Sequence, residues 1–382
     1  MFFDLDIKAD RLPPKTICLT YDDGPGETPG PGPGPNTRGL GRYLFEQGIQ
    51  ATFFMLGQHV ERYPSLPREL RAWGHLVGNH TYSHPGLVRL AQAGGDVVGE
   101  IARTQALIGH ASAEPNTFLR APYGNWREKL SATSDIDKPT SIVAGILNRS
   151  GRFPQYVGPI NWDISSLDWE FWGRGDSAEQ CAVACLERIE RIGRGILLMH
   201  DSSEDAAIRA NNQTAEATRL LVEALRQQGY RFIRLDAIPQ VQSASRVSAL
   251  IQLRSVENRS IVRADDDTLR LTDAAGEDAA NEELLGVEVL GDHYIALRLS
   301  NGQHLSVDAG MVRAGSVIAG EPEMLRIEPR GARRIALQTA SGYYISRGAG
   351  DRLRATLFHS HAAEVFEVHG HALPANGIAW VV

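Results

Sequence analysis

The stretch Thr20-Tyr21-Asp22-Asp23-Gly24-Pro25 sets two carboxylates side by side ahead of a Gly-Pro turn. Adjacent carboxylates repel, so burying both calls for a cation or an arginine beside them. A capping or turn pair is the plainer account of an isolated Asp-Asp-Gly. Further along, Asn79-His80-Thr81-Tyr82-Ser83-His84-Pro85 holds two histidines four apart. At that spacing both rings can reach one point, on a helical turn or a tight loop, as a metal site requires. Histidines scattered on a polar surface show the same spacing, so the pair alone leaves both accounts open. Three more polar elements follow in order: Arg120-Ala121-Pro122-Tyr123-Gly124, the span from Trp162-Asp163 to Asp168-Trp169, and Ile196-Leu197-Leu198-Met199-His200-Asp201.

Active groups of α/β proteins gather at the C-terminal ends of parallel strands, and these clusters fall at the ends of predicted strands. Lys15–Tyr21 (KTICLTY) reads as a buried strand, Arg38–Gln47 as a helix stopped by Gly48, and Ala51–Leu56 (ATFFML) as the next strand. Further strands are expected at His75–Gly78, Thr117–Arg120, Pro159–Asp163, Gly195–Met199 and Arg231–Leu235. The last follows an amphipathic helix, Thr214–Gln228, with Ala217, Leu220, Leu221, Ala224 and Leu225 on one face and Gly229 as its C′ residue. This alternation predicts a parallel sheet or an α/β barrel.

Past Pro239 the helical pattern stops and an internal repeat begins. Ile295–Ser306 (IALRLSNGQHLS) aligns with Ile335–Ser346 (IALQTASGYYIS), and a weaker copy starts at Leu250 (LIQLRSVENRSI). Three copies of a short-stranded unit, none able to bury its own apolar face, predict a threefold closed all-β body, a β-trefoil by preference. The repeat resembles the fascin-like trefoil family. Two domains are therefore expected, 1–240 and 245–382, the second a candidate carbohydrate-binding module.

TYDDGP, HTYSH, RAPYG, the Asp-Trp element and LLMHD together resemble, in order, the five motifs of the NodB-type polysaccharide deacetylases, carbohydrate esterase family 4. The resemblance covers roughly residues 10–238 and implies a distorted (β/α) barrel. It also implies roles. Asp23, His80 and His84 would hold one divalent metal ion, zinc in the first place, with cobalt, manganese, nickel or iron as alternatives. Asp22 would be the general base, restrained by Arg120. Tyr123 would offer its backbone N–H to the oxyanion. His200 would be the general acid, oriented by Asp168, with Asp163 as the competitor for that task. Trp169 and Leu198 would wall a sugar groove. The chemistry suits the division: a Lewis acid and a fixed N–H stabilise charge on the attacked carbonyl, and an amide nitrogen leaves only when protonated.

Two segments depart from the family pattern. Gly26 to Pro35 is a long Pro/Gly run, read as a structureless surface loop ahead of a substrate lid. The enlarged segment 124–158 carries Trp126, Phe153 and Tyr156, which are either core or stacking platforms for sugar rings. Cys181 and Cys185, four apart in a predicted helix, read as small buried hydrophobes because no second pair completes a zinc site. His359, His361, His369 and His371 read as incidental.

The whole chain has 382 residues, 42% hydrophobic and 22% charged, with 39 Lys and Arg against 46 Asp and Glu, hence a net charge of −7. This composition argues against overall disorder and against a phosphate backbone as the main partner. No stretch approaches the roughly 18 apolar residues of a membrane span. The expected partner is a glycan, with no nucleic acid or membrane and with protein partners undefined. Three cysteines and a charged N-terminus without a secretion signal point to the cytoplasm, or to the periplasm or exterior if a leader was removed. The expected function is metal-dependent removal of N-acetyl groups from N-acetylhexosamine glycans of chitin or peptidoglycan type. An O-acetyl esterase acting on a polysaccharide such as xylan is the alternative. A non-haem iron oxygenase built on the same ligand types is disfavoured by the order Asp, His, His and by Asp22 alongside. A non-catalytic carbohydrate-binding protein is disfavoured by the five intact motifs.

Overall fold

The chain enters β1 at Phe2–Ile7 and then β2 at Thr16–Gly24, which is buried along its whole length as a parallel strand covered on both faces must be. The computed structural model describes residues 1–28, 32–109, 116–131, 133–273, 282–290, 294–331 and 333–371, without the side chains of Ala362 and His371. Residues 29–31 of the Pro/Gly run, the ring of His371 and the end of the second predicted domain, 372–382, lie outside that set. The contacts divide the chain into two units, one of Phe2 and Asp6–Gln242, the other of Met1, Phe3–Leu5 and Ser243–Val382.

In the first unit β2 is followed by β3 (Thr52–Met55), β4 (Leu76–Asn79), β5 (Thr117–Phe118), β6 (Tyr156–Ile160), β7 (Ile164–Ser165), β8 (Arg194–His200) and β9 (Arg231–Phe232). The first sheet runs β4-β3-β2-β8-β7, with β9 against the start of β2, and every pairing is parallel. A second parallel sheet, β1-β6-β5, approaches the first through a single bridge between Asn79 and Leu119. Side chains alternate along β2. Ile17, Leu19 and Tyr21 join Phe53, Met55, Val77, Leu197 and Met199 in one apolar core. The helices Thr37–Glu46, Ala178–Ile192 and Thr214–Gln227 cover that face with Leu40 and Leu44, Cys181, Cys185 and Ile189, and Ala217, Leu221 and Leu225. Thr20 and Asp22 take the opposite face. Cys181 and Cys185 are free and fully buried, core residues as their spacing suggested.

Differences from the sequence pattern have local causes. β5 stops after two residues, before Arg120, and β6 starts at Tyr156, three residues ahead of the expected Pro159. β1 escapes the pattern because three aspartates and a lysine surround it, although Phe2 and Phe3 are both buried. The aromatics of the enlarged segment are core. Trp126, Phe153 and Tyr156 surround Phe2 with ring centroids 6.1, 6.1 and 5.6 Å away, so they are closed to sugar.

The second unit is all antiparallel: β10 (Val247–Ser255), β11 (Arg259–Arg263), β12 (Leu269–Asp273), β13 (Leu285–Val289), β14 (Ile295–Arg298), β15 (Leu305–Asp308), β16 (Met311–Ala314), β17 (Leu325–Gly331), β18 (Arg334–Thr339), β19 (Tyr344–Arg347), β20 (Leu353–Leu357) and β21 (Phe366–His371). Six of these close a ring by hydrogen bonding, β10-β13-β14-β17-β18-β21 and back to β10. The others form three hairpins, β11-β12, β15-β16 and β19-β20. Each sequence repeat supplies two ring strands and one hairpin. No described helix in either unit is long and apolar enough to cross a membrane.

Candidate active site and metal centre

Asp22 stands on β2 in register with His200 on β8, so a carboxylate and an imidazole from neighbouring parallel strands project to the same face. A regular strand would send Asp23 to the other face. Instead the pairing with β3 slips between Asp22 and Gly24, and Asp23 takes a left-handed φ of 69°. That irregularity brings both carboxylates to His80, whose Nε2 lies 3.6 Å from Asp22 Oδ2 and 3.4 Å from Asp23 Oδ1.

The loop after β4 presents the two histidines. Asn79 Oδ1 accepts from Thr81 N–H at 2.9 Å, and Thr81 Oγ1 accepts from His84 N–H at 3.1 Å. Glu100, on the helix Val97–Ile108, accepts from the N–H groups of Tyr82 and Ser83 and from the Ser83 hydroxyl. The rings of His80 and His84 end 5.1 Å apart, and His84 Nε2 is 3.3 Å from the same Asp23 Oδ1. Among the described residues of this unit, six non-glycine residues have positive φ, and all but Lys15 lie at these loops: Asp23, Thr81, His84, Tyr123 and Leu167. Each costs on the order of 1–3 kcal/mol, a concentration expected where geometry is held for function.

The donor set fits a divalent cation. Asp23 Oδ1 is buried and has no hydrogen-bond partner, although a carboxylate oxygen so placed costs free energy unless something binds it. His80 donates Nδ1–H to the Arg120 carbonyl at 2.9 Å, which leaves its Nε2 lone pair facing Asp23. Asp23, His80 and His84 are the one such group among the described residues, with ligand atoms within 4.8 Å of one another. Two imidazoles and one carboxylate suit zinc and its neighbours. Burial alone would raise the Asp23 pKa. The His80 contact, then the charges of His84 and His200, outweigh it and hold the carboxyl well below its usual range.

Arg120 is fully buried and fully used. One guanidinium nitrogen donates to Asp22 Oδ1 and to Thr20 Oγ1, both at 2.8 Å, and Nε donates to the Ile160 carbonyl. On the other side, Asp168 accepts from His200 Nδ1–H at 2.8 Å and from His200 N–H at 2.7 Å. Asp163 instead accepts from the Ala9 and Ile196 N–H groups, so it braces the backbone and stays away from His200. Burial disfavours the His200 imidazolium, but the charge and hydrogen bond of Asp168, then Asp23 and Asp22, push its pKa up to about 10.

Tyr123 has a φ of 59°, is 71% exposed, and sets its ring 4.5 Å from that of His84. Trp169 is 45% exposed, whereas Leu198, on the His200 face of β8, keeps only 4% of its surface. Four contributors have no role assigned from the sequence: Thr20 under Arg120 and Asp201, both inside the quoted motifs, Glu100 under the histidine loop, and Glu204, whose Oε2 is 3.4 Å from His84 Nδ1. Burial, against a hydrogen bond from Thr37, pushes the Asp201 pKa up to about 7, and a Cβ on Gly24 would clash with its carboxylate. Gly24 is thus fixed by lack of space.

A model of the polysaccharide deacetylase family matches residues 9–137. A chitooligosaccharide deacetylase of Rhizobium leguminosarum bv. trifolii is 30% identical over 232 residues, spanning 59% of this chain and 91% of that protein. A peptidoglycan-N-acetylglucosamine deacetylase of Bacillus cereus is 28% identical over 222 residues, spanning 57% of this chain and 68% of its own. The solved chitin deacetylase of Colletotrichum lindemuthianum aligns with a TM-score of 0.42 at 24% identity, over 62% of this chain and 90% of that one. With Asp22, Asp23, His80, His84 and His200 gathered at the ends of β2, β4 and β8, the chain belongs to the polysaccharide deacetylase family and is an amide-bond hydrolase.

Proposed function

We propose that this enzyme removes N-acetyl groups from N-acetylhexosamine-containing glycans of the chitooligosaccharide or peptidoglycan type, with one divalent cation, zinc first, held by Asp23, His80 and His84. The observation that carries the reading is a carboxylate and a carboxylate-backed imidazole, Asp22 and His200, in register on adjacent strands beside that ligand set. The relatives named for chitooligosaccharide and peptidoglycan N-acetylglucosamine support the substrate class.

Such a cation, when bound, polarises the acetyl carbonyl and lowers the pKa of a water beside it. Asp22 takes the proton from the attacking water. Arg120 holds one of its oxygens and leaves the other toward His80. The Tyr123 N–H stabilises charge growing on the carbonyl oxygen. His200 gives its proton to the departing nitrogen, and Asp168 sets its tautomer by taking Nδ1–H. Tyr123 and Trp169, the exposed aromatics of the site, flank the sugar, with Leu198 beneath as a minor wall. We read the six-strand ring with three hairpins as a β-trefoil of fascin-like type.

Acetate release decides the matter. Purified protein loaded with zinc or cobalt should release acetate from N-acetylglucosamine oligomers or peptidoglycan fragments faster than from acetylated xylan. A preference for xylan would replace the amide substrate with an ester, and full activity after exhaustive chelation, with metal analysis showing none bound, would end the metal reading.

A further inference from the structure

The two histidines of the proposed metal centre are backed by different groups. His80 Nδ1–H meets the neutral Arg120 carbonyl at 2.9 Å. His84 Nδ1 instead faces a carboxylate, Glu204 Oε2, at 3.4 Å. Glu204 comes from the loop after β8, four residues beyond His200, and its other oxygen, Oε1, accepts from the Gln58 amide. Gln58 lies in the short helix Gly57–Arg62, which follows β3. One carboxylate thus links the loop carrying the acid to the ring of a metal-site histidine.

The ring needs such a partner. His84 has a left-handed backbone, its N–H is tied to Thr81, and its ring leans on Tyr123 at 4.5 Å. These contacts fix where the ring lies, but none selects which nitrogen carries the proton. Nε2 can serve as a ligand to an ion shared with Asp23 only if the proton sits on Nδ1. A carboxylate opposite Nδ1 selects that tautomer and raises the electron density of the ring.

We propose that Glu204 is a positioning residue of the metal centre, holding the His84 proton on Nδ1 so that Nε2 faces Asp23. This rests on the metal reading of Asp23, His80 and His84. No part of the five motifs contains Glu204, which places control of metal affinity in a loop outside them.

The test is equilibrium metal binding by full-length protein, with a chromophoric chelator competing for zinc, together with the visible spectrum of the cobalt form. Glu204→Ala should weaken zinc binding by about 10–100-fold, the usual cost of losing a partner that orients a ligand. Its cobalt spectrum should change in intensity. Glu204→Gln, whose amide oxygen still accepts from Nδ1–H, should recover most of the affinity, and Gln58→Ala, which leaves the carboxylate in place, should change it less than threefold. A purely structural role for Glu204 would lower the melting temperature of Ala and Gln variants alike without this rescue. If Glu204→Ala misfolds, the Gln variant and Glu204→Asp carry the comparison, and affinity in Asp must then fall below that in Gln, since the shortened arm withdraws the acceptor. Zinc binding within twofold of the parent in Glu204→Ala, while His84→Ala loses the ion, would overturn the proposal. If His84→Ala and Asp23→Asn also keep the ion, the metal reading itself fails and the role of Glu204 falls with it.

Discussion

In the first unit Asp22 lies 2.8 Å from Arg120 and 3.6 Å from His80; in the second, Glu288 lies 2.6 Å from Arg298 and 3.0 Å from His304. All six side chains are buried, and each cluster joins one carboxylate, one arginine and one histidine. Each region also leaves buried carboxylate oxygens without a hydrogen-bond partner, Asp23 Oδ1 and Asp201 Oδ1 in the first and Glu288 Oε2 in the second. An orphaned oxygen therefore does not by itself mark a metal site. The histidines make the difference. Both nitrogens of His304 face protein partners, Glu288 and the Ser316 carbonyl, so neither is turned toward an open ligand position. In the first unit two rings converge, and the far nitrogen of each has its own acceptor, which frees Nε2. Position matters as well. Glu288 and Arg298 pair across β13 and β14, while the Asp22 cluster sits at the ends of parallel strands, where loops can open a path to a ligand.

The sharpest way to break this contrast is at the two neighbouring aspartates. Asp22→Asn should retain zinc and lose about 10²–10⁴-fold in kcat, the contribution of a positioned base. Asp23→Asn should lose both rate and ion. Metal content by atomic absorption, set beside acetate release, separates them. Equal metal loss in the two variants would show that Asp22 is a ligand and that some other group is the base.

In the second unit the same type of change should act on stability alone. Glu288→Gln leaves Arg298 and His304 buried without their counter-charge, and breaking such a cluster costs about 3–5 kcal/mol. The denaturation transition of that unit should move while metal content and turnover on a short soluble substrate stay constant. Burial raises the Glu288 pKa, but His304 and Arg298 outweigh it and leave the folded value below the ordinary one. Its contribution is then present above the ordinary glutamate range and disappears as pH falls through the folded value. Parent and variant should accordingly converge in acid. A gap that widens on acidification would contradict the ion-pair account.

How much of this was legible from the residues follows the same divide. Motif residues at strand ends could be read because their types are costly to bury and their order is distinctive: Asp22, Asp23, His80, His84, Arg120 and His200 all meet where the parallel strands end. The choice of Asp168 over Asp163 could not rest on spacing, since both stand in the same short Asp-Trp stretch around β7. Their contacts differ: Asp168 faces His200 Nδ1, whereas Asp163 accepts from the Ala9 and Ile196 amides. Glu204 and Glu100 have no local pattern, and Thr20, though inside a motif, has no role readable there, because each acts through a contact made by tertiary packing. Trp126, Phe153 and Tyr156 read as core ahead of sugar platform, and Phe2, from an unanticipated strand, packs among them. The repeats of the second half announced closure by period alone, but the Glu288, Arg298 and His304 cluster left no trace in it.

A finer test concerns the acid side. In the proposed mechanism His200 is protonated to serve a leaving nitrogen, and Asp168 is the first of the groups that lift its pKa to about 10 against burial. Asp168→Asn removes that support, so the alkaline limb of kcat/KM should move to lower pH, toward the ordinary imidazole range. Activity lost at pH 9 should exceed that lost at pH 6. Parallel profiles, displaced only in height, would mean that Asp168 shapes the loop without governing the proton.

The smallest expected effect lies beneath the base. Thr20 Oγ1 accepts from the Arg120 guanidinium at 2.8 Å and donates to the Leu197 carbonyl at 2.8 Å, in a fully buried position. Thr20→Val keeps the shape and removes both bonds, leaving that guanidinium nitrogen of a buried cation with Asp22 as its remaining partner and one N–H unsatisfied. Loss of a hydrogen bond to a charged group costs about 1.5–3 kcal/mol of stability. The rate should fall less than tenfold, because the 2.8 Å contact between Arg120 and Asp22, the one that aims the base, does not depend on the hydroxyl. Melting temperature and kcat measured on the same preparation distinguish the two effects. A fall in kcat as large as that of Asp22→Asn, with zinc still bound and the fold intact, would show that Thr20 sets the position of the base and that Arg120 alone does not hold it.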